Sequence, residues 1–259
     1  MERLFIDMMG REVHIPFPPK RIISVVPSQT ELLFDLNLDE EVVGITKFCV
    51  HPESWFRNKE RVGGTKKLHL DKIRALKPDL IIANKEENEQ EQIEELAKEF
   101  PVWISDINTL PHAMQMIQAV GQITDRQQIA NNLVDHIVNN FTQLQAATTP
   151  KRVAYFIWRN PWMSVGKDTF ISNMITTIGW QNVLADKDRY PEVTLEELKA
   201  YNPDTILLSS EPFPFKEEHI AEIKAVLPNA EVLLVDGEMF SWYGSRLQKA
   251  TAYFQHLLN

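Results

Sequence analysis

Apolar residues follow two rhythms along this chain. Short runs rich in Ile, Val and Leu recur at residues 21–27, 42–46, 80–83, 102–105, 152–158, 205–209 and 231–235. Each is dense enough, and brief enough, to predict a strand buried on both faces. Between them, apolar positions spaced three and four apart predict amphipathic helices at 29–36, 89–100, 170–178, 218–227 and 245–258. Val13-His14-Ile15 suggests an edge strand in an otherwise polar, proline-punctuated start. Strands alternating with helices imply an α/β fold with parallel sheets.

The longest helical pattern runs from Pro111 to about Ala147. Met114, Ile117, Val120, Ile123, Ile129, Leu133, Ile137 and Phe141 form its apolar stripe, and Gln and Asn fill the other faces. Pro111 suits a first helical turn, and Pro150 follows the end of the pattern. Ser28 is read as the cap of the helix at 29–36, with Glu31 as its capping-box partner.

A repeat flanks the long helical stretch. Leu70-Asp71-Lys72-Ile73-Arg74-Ala75-Leu76-Lys77-Pro78-Asp79-Leu80-Ile81 is answered by Leu195-Glu196-Glu197-Leu198-Lys199-Ala200-Tyr201-Asn202-Pro203-Asp204-Thr205-Ile206. The offset is constant, since 71 maps to 196 and 79 to 204. Each copy is a short helix, a Pro-Asp turn and a buried strand. Two distant copies imply two similar lobes rather than a solenoid. The predicted organisation is therefore an N-terminal α/β lobe at 1–110, a bridging helical segment at 111–149 and a C-terminal α/β lobe at 150–259. In this reading two Rossmann-like lobes with parallel-rich sheets are joined by one long bridging α-helix, and ligand sits in the cleft between them.

Composition narrows the function. The 259 residues are 44% hydrophobic and 24% charged, ordinary for a globular protein. A net charge of −9 opposes a phosphate-backbone grip, so no nucleic-acid partner is expected. No apolar run reaches a membrane span. Met1–Asp7 lacks the pattern of a secretory leader. The expected address is thus the cytoplasm if Met1 is the native start, and the periplasm or cell surface if a leader was removed.

Catalytic signatures are missing. The chain has no GxGxxG, no phosphate-binding GxxxxGK[ST] and no GxSxG elbow, and its seven histidines are scattered without ligand spacing. Cys49, near His51, is read as a buried thiol. No catalytic residue, resident metal or required cofactor is expected, which favours a binding protein over an enzyme. Aromatics in strand-to-helix loops (Phe48, Trp55, Trp162, Tyr190, Trp242 and Tyr243) suit a large, flat, partly apolar ligand.

Several motifs carry a resemblance to a known family. They are Arg21-Ile-Ile-Ser-Val-Val-Pro-Ser-Gln-Thr-Glu-Leu-Leu-Phe, Gly44-Ile-Thr with His51-Pro52 following, Arg61-Val-Gly-Gly-Thr, Leu70-Asp-Lys-Ile-Arg-Ala-Leu-Lys-Pro-Asp-Leu-Ile-Ile-Ala and Thr194-Leu-Glu-Glu-Leu. Together the chain resembles the helical-backbone (class III, cluster A) substrate-binding proteins of ABC importers, nearest their cobalamin-binding branch; the wider group carries iron siderophores and haem. The resemblance implies a periplasmic binding protein-like fold, capture of a cobalt corrinoid or iron chelate, and delivery to an ABC permease in the membrane. It places acidic docking residues at Asp71 and Glu196. Ligand contacts would come from Phe48, Thr65 (where the family often has tryptophan), Trp162, Met163, Tyr190, Trp242 and Arg246, the last facing any anionic group. A monomer is expected. The alternatives are an iron-siderophore or haem receptor, a soluble corrinoid or tetrapyrrole carrier, and a chelatase-like enzyme.

Overall fold

In the computed structural model, which describes all 259 residues, the apolar runs form two parallel sheets, one in each of two compact units. Unit 1 comprises Met1–Ile107, Pro111–Asn139 and Tyr243–Arg246; unit 2 comprises Asn108–Leu110, Asn140–Trp242 and Leu247–Asn259.

Unit 1 opens with an antiparallel hairpin, β1 (Glu2–Ile6) and β2 (Glu12–Pro16). Only the second strand was legible as an edge, because β1 is exposed along nearly all its length while β2 alternates buried and exposed positions. Then follow β3 (Ile22–Ser24), α1 (Pro27–Asp35), β4 (Val42–Ile45), α2 (Glu53–Asn58), β5 (Glu60–Arg61), α3 (Leu70–Leu76), β6 (Leu80–Asn84), α4 (Gln90–Ala97), β7 (Val102–Ser105), α5 (Leu110–Ile123) and α6 (Gln127–Gln143). The sheet order is β5-β4-β3-β6-β7, all parallel. Unit 2 contains β8 (Arg152–Trp158), β9 (Met163–Ser164), α7 (Phe170–Thr177), β10 (Gln181–Asn182), α8 (Leu195–Tyr201), β11 (Thr205–Ser209), α9 (Glu217–Val226), β12 (Glu231–Val235), α10 (Gly237–Ser241) and α11 (Leu247–Leu258). Its parallel order is β10-β8-β11-β12, with β9 antiparallel on β8. In each sheet the chain adds strands to one side and then crosses to the other. The switch points lie between β3 and β6 and between β8 and β11.

The sequence repeat is a repeat of structure. Ile73 on α3 and Leu198 on α8 are fully buried in their own units' cores. Both helices end on a left-handed residue, Lys77 (φ 48°) and Asn202 (φ 45°), immediately before the Pro-Asp turn. The Asp79 carboxylate accepts the Lys20 and Arg21 N–H groups at 2.7 Å each, and Asp204 accepts the Arg152 N–H at 2.8 Å. The Arg21 guanidinium donates to Leu76 O at 2.6 and 2.9 Å; that of Arg152 donates to Tyr201 O and Asn202 O at 2.6 and 3.2 Å. Each arginine thus opens a strand, neutralises the negative end of the neighbouring helix and satisfies its last carbonyls.

Two local expectations are corrected. The helical stretch from 111 to 147 is two helices, α5 and α6, and its residues 111–139 pack within unit 1. The apolar rhythm passes through the break, but the backbone does not. Arg126 N–H reaches Gly121 O at 2.7 Å and Asp125, at φ 60°, donates to Gln122 O, a helix-ending pair of bonds in which Asp takes glycine's usual place. A Cβ on Gly121 would sit 2.3 Å from that of Ala130, so a glycine is needed where α5 and α6 touch. Nor does Ser28 cap α1: Val26 is the N-cap, Pro27 occupies the first turn, and no side chain caps the helix's first N–H groups. Glu31 has a tertiary partner instead, Arg246.

Candidate ligand-binding site

In open parallel sheets, ligands meet the loops beyond the strands' carboxyl ends, at the switch points. In unit 1 these loops are knotted by one amide. Asn88 Nδ2 donates to Val25 O and to Thr65 O at 3.1 Å each, while its Oδ1 accepts the Asn84 N–H at 2.9 Å. The loops after β3 and β6 and the turn around Thr65 are thereby fixed to one another. Phe48, in the loop after β4, is half exposed, and its ring lies against Gly64, where an added Cβ would approach to 3.0 Å. Lys47 Nζ stands 4.9 Å from the centre of that ring. Phe48 and Thr65 therefore belong to one surface. Cys49 is buried, 3.1 Å from both Thr30 Oγ1 and Thr46 Oγ1. Burial pushes its thiol above the usual range, which keeps it protonated and inert. Trp55 is also internal, its indole N–H donating to Asp39.

In unit 2 a second group of expected residues comes together. Ser164 N–H donates to Pro191 O, Val193 N–H to Trp162 O, and Gly166 N–H to Arg189 O. These bonds lay the segment carrying Tyr190 beside the one carrying Trp162 and Met163. Trp162 is partly buried: it stacks on Phe215 (5.7 Å, 10°) and meets the edge of Phe156. Beside it, sequence reasoning missed Trp158 and Phe213. Trp158 ends β8, is 41% exposed and contacts Phe213 edge-on at 5.7 Å. Phe213 is stiffened in turn by Phe215 and His219. The sequence signal was weak, because Trp158 looks like the last residue of an apolar strand.

Two expected ligand residues have internal partners. Arg246 is buried and donates Nε and Nη2 to the two oxygens of buried Glu31, at 2.9 and 2.8 Å. This bidentate pair lies within unit 1 and commits the cation that was expected to meet an anionic ligand. Trp242 is buried too, and its indole N–H donates to Glu211 Oε1 at 2.8 Å; the Ser241 hydroxyl donates to the same oxygen at 3.0 Å. Glu211 borders a cavity of about 640 Å³ in unit 2, together with Ser210, Phe215, Leu234 and Asp236. Burial pushes its carboxyl above the ordinary carboxylate range, and the Trp242 and Ser241 bonds pull the other way.

No three His, Cys, Asp or Glu side chains form a group able to hold a metal ion, and no helix is long and apolar enough to cross a membrane. The two repeat acids lie in the first turns of their helices. Asp71 is fully exposed, 3.3 Å from Arg74, and Glu196 is 71% exposed, 2.7 Å from Lys199.

Residues 22–230 match a family model described as periplasmic binding protein. The chain belongs to that family. Periplasmic binding proteins are not enzymes, in keeping with the missing catalytic signatures. One relative is an uncharacterized ABC transporter substrate-binding lipoprotein, YvrC of Bacillus subtilis, 28% identical over 93% of this chain and 80% of its own. Another is a vitamin B12-binding protein of Vibrio cholerae, 26% identical over 75% of this chain and 72% of its own. The crystal structure of the periplasmic vitamin B12 binding protein BtuF of Vibrio cholerae superposes with a TM-score of 0.79 at 24% identity, covering 94% of this chain and 98% of that one. This periplasmic binding protein therefore has the expected α/β architecture with parallel-rich sheets.

Proposed function

We propose that the chain is the extracytoplasmic substrate-binding protein of an ABC importer and that its cargo is a corrinoid or a closely similar metal chelate. In unit 1 taken by itself, Phe48 and Thr65 are the proposed cargo contacts; in unit 2 taken by itself, they are Trp162, Met163 and Tyr190, with Trp242 acting through Glu211 and, in unit 1, Arg246 through the loop it holds against Glu31. The metal arrives already chelated and is gripped through its organic part, so the protein needs no cluster of metal-ligating side chains. The similarity to a vitamin B12-binding relative supports the cargo class. Aromatic loops beyond the strands support a large flat ligand.

One observation carries the transport reading. Two exposed carboxylates, Asp71 and Glu196, occupy equivalent positions on helices held to their sheets by equivalent arginines. Like-charged knobs on preorganised helices steer and orient a partner with basic pockets, here the permease, and a monomer presents one pair. Charge reversal tests this. In proteoliposomes carrying the permease, Asp71→Lys and Glu196→Lys should each lower uptake about tenfold, and the double variant more, with cargo affinity unchanged within about twofold. Undiminished uptake by the double variant would remove these acids from docking.

A further inference from the structure

We infer, resting on the cargo reading above, that Glu211 sets the charge class of the ligand: it accepts a hydrogen bond from an N–H donor, as an amide-bearing macrocycle offers, and excludes chelates that present carboxylates. Glu211 follows β11 at the unit 2 switch point, the place where open sheets receive ligands. It lies two residues from Phe213, whose partner Trp158 ends β8 on the other side of that switch point. An aromatic face and a carboxylate are thus offered from adjoining loops.

The carboxylate is held rather than loose. The Trp242 indole N–H bonds Oε1, and the Ser241 hydroxyl, whose one proton also reaches Gly237 O at 2.9 Å, lies against the same oxygen, leaving Oε2 as an acceptor. The Glu211 carbonyl accepts the Ser209 hydroxyl, and Phe213 N–H donates to Ile157 O at 3.3 Å, so the loop backbone is tethered on either side of Pro212. Asp236 and Glu238 line the same cavity as Glu211, beside Phe215 and Leu234, so a negative charge carried by a ligand would meet three acidic side chains there.

Around Glu211 itself cations are missing or committed; Lys47 and Arg189 stand instead beside the Phe48 and Tyr190 rings. No Lys, Arg or His borders the cavity. Arg159, the basic residue after β8, donates Nε and Nη2 to the two Glu222 oxygens at 2.8 Å each. Arg246 is committed to Glu31 in the same bidentate manner. A ligand bearing propionates or catecholates would meet Glu211 without a compensating arginine, whereas amide side chains would meet an acceptor.

Glu211→Gln separates this role from a structural one. Its amide oxygen still accepts from Trp242 and Ser241, but the second position changes from acceptor to donor. Cyanocobalamin and haem are titrated into the wild-type and Glu211→Gln chains, with thermal melts of both. The expected result is a preference of the wild type for cyanocobalamin, an unchanged melt, and a loss of cyanocobalamin affinity of about tenfold in the variant with a gain for haem. Cyanocobalamin affinity within about twofold of wild type, or a variant that melts far lower, would assign Glu211 to holding Trp242 alone and overturn the inference. A wild type that prefers haem overturns it while leaving the importer reading in place, and one that binds neither removes the cargo reading as well.

Discussion

The two copies of the repeat differ at the helix starts, not at the ends. In both, a buried aliphatic seats the helix, an arginine closes its last turn and a Pro-Asp turn feeds the strand. At its N-terminus, α8 has a full capping box: the Thr194 hydroxyl accepts from Glu197 N–H, and the Glu197 carboxylate from Thr194 N–H at 2.7 Å. The first copy, α3, begins after His69 with no side-chain cap. Their acids also sit in different fields. Lys199 is paired with Glu196, whereas Arg74 is shared among Asp71, Glu95 and Glu99. The unit 1 knob thus shares its nearest cation with two other acids, and the unit 2 knob stands on a better-formed helix end. What both copies keep is the scaffold that aims an acid outward; what varies is how much local charge and capping surround it.

The comparison can be broken most severely at the buried seats. Ile73→Ala and Leu198→Ala should each cost roughly 2–5 kcal/mol, measured by urea unfolding, because each opens a cavity in a closed core. Comparable losses would show that the copies are mechanical equivalents; a loss in one copy alone would make the other helix a passive appendage. Next come the clamps. Arg21→Met and Arg152→Met should each cost about 1 kcal/mol, since the bonds they remove are partly exposed. If the repeat works as argued, Arg152→Met should also lower uptake without changing cargo affinity, as the Glu196 charge reversal does. An uptake unaffected by either clamp variant would separate the arginines from docking. The charge reversals themselves stand at the bottom of this scale, within roughly 0.5 kcal/mol in stability, because Asp71 and Glu196 lie on the surface.

Much of this was legible in the chain. The strands were visible as β-branched runs, and the repeat because Pro-Asp turns and aliphatic spacing recur at one offset. Asp71 and Glu196 could be matched from that offset alone. The interruption between α5 and α6 was not, because amphipathic spacing carries through Thr124–Arg126 while the break depends on Asp125 adopting a left-handed conformation and on Gly121 meeting Ala130. Glu31 illustrates the same limit. Its spacing from Ser28 fits a capping box, yet it pairs with an arginine 215 residues away, and a buried bidentate pair outweighs a local cap. Glu211 and Trp158 gave no motif at all: one is placed by a fold-level crossover and the other by the end of its strand.

The central claim is that this periplasmic binding protein captures a corrinoid-type chelate. An absorbance and thermal-shift titration of the purified chain with cyanocobalamin, cobinamide, haem and a ferric siderophore panel tests it most directly. The account predicts saturable binding of a corrinoid at one site per chain with a raised melting temperature. No saturable shift with either corrinoid would contradict it.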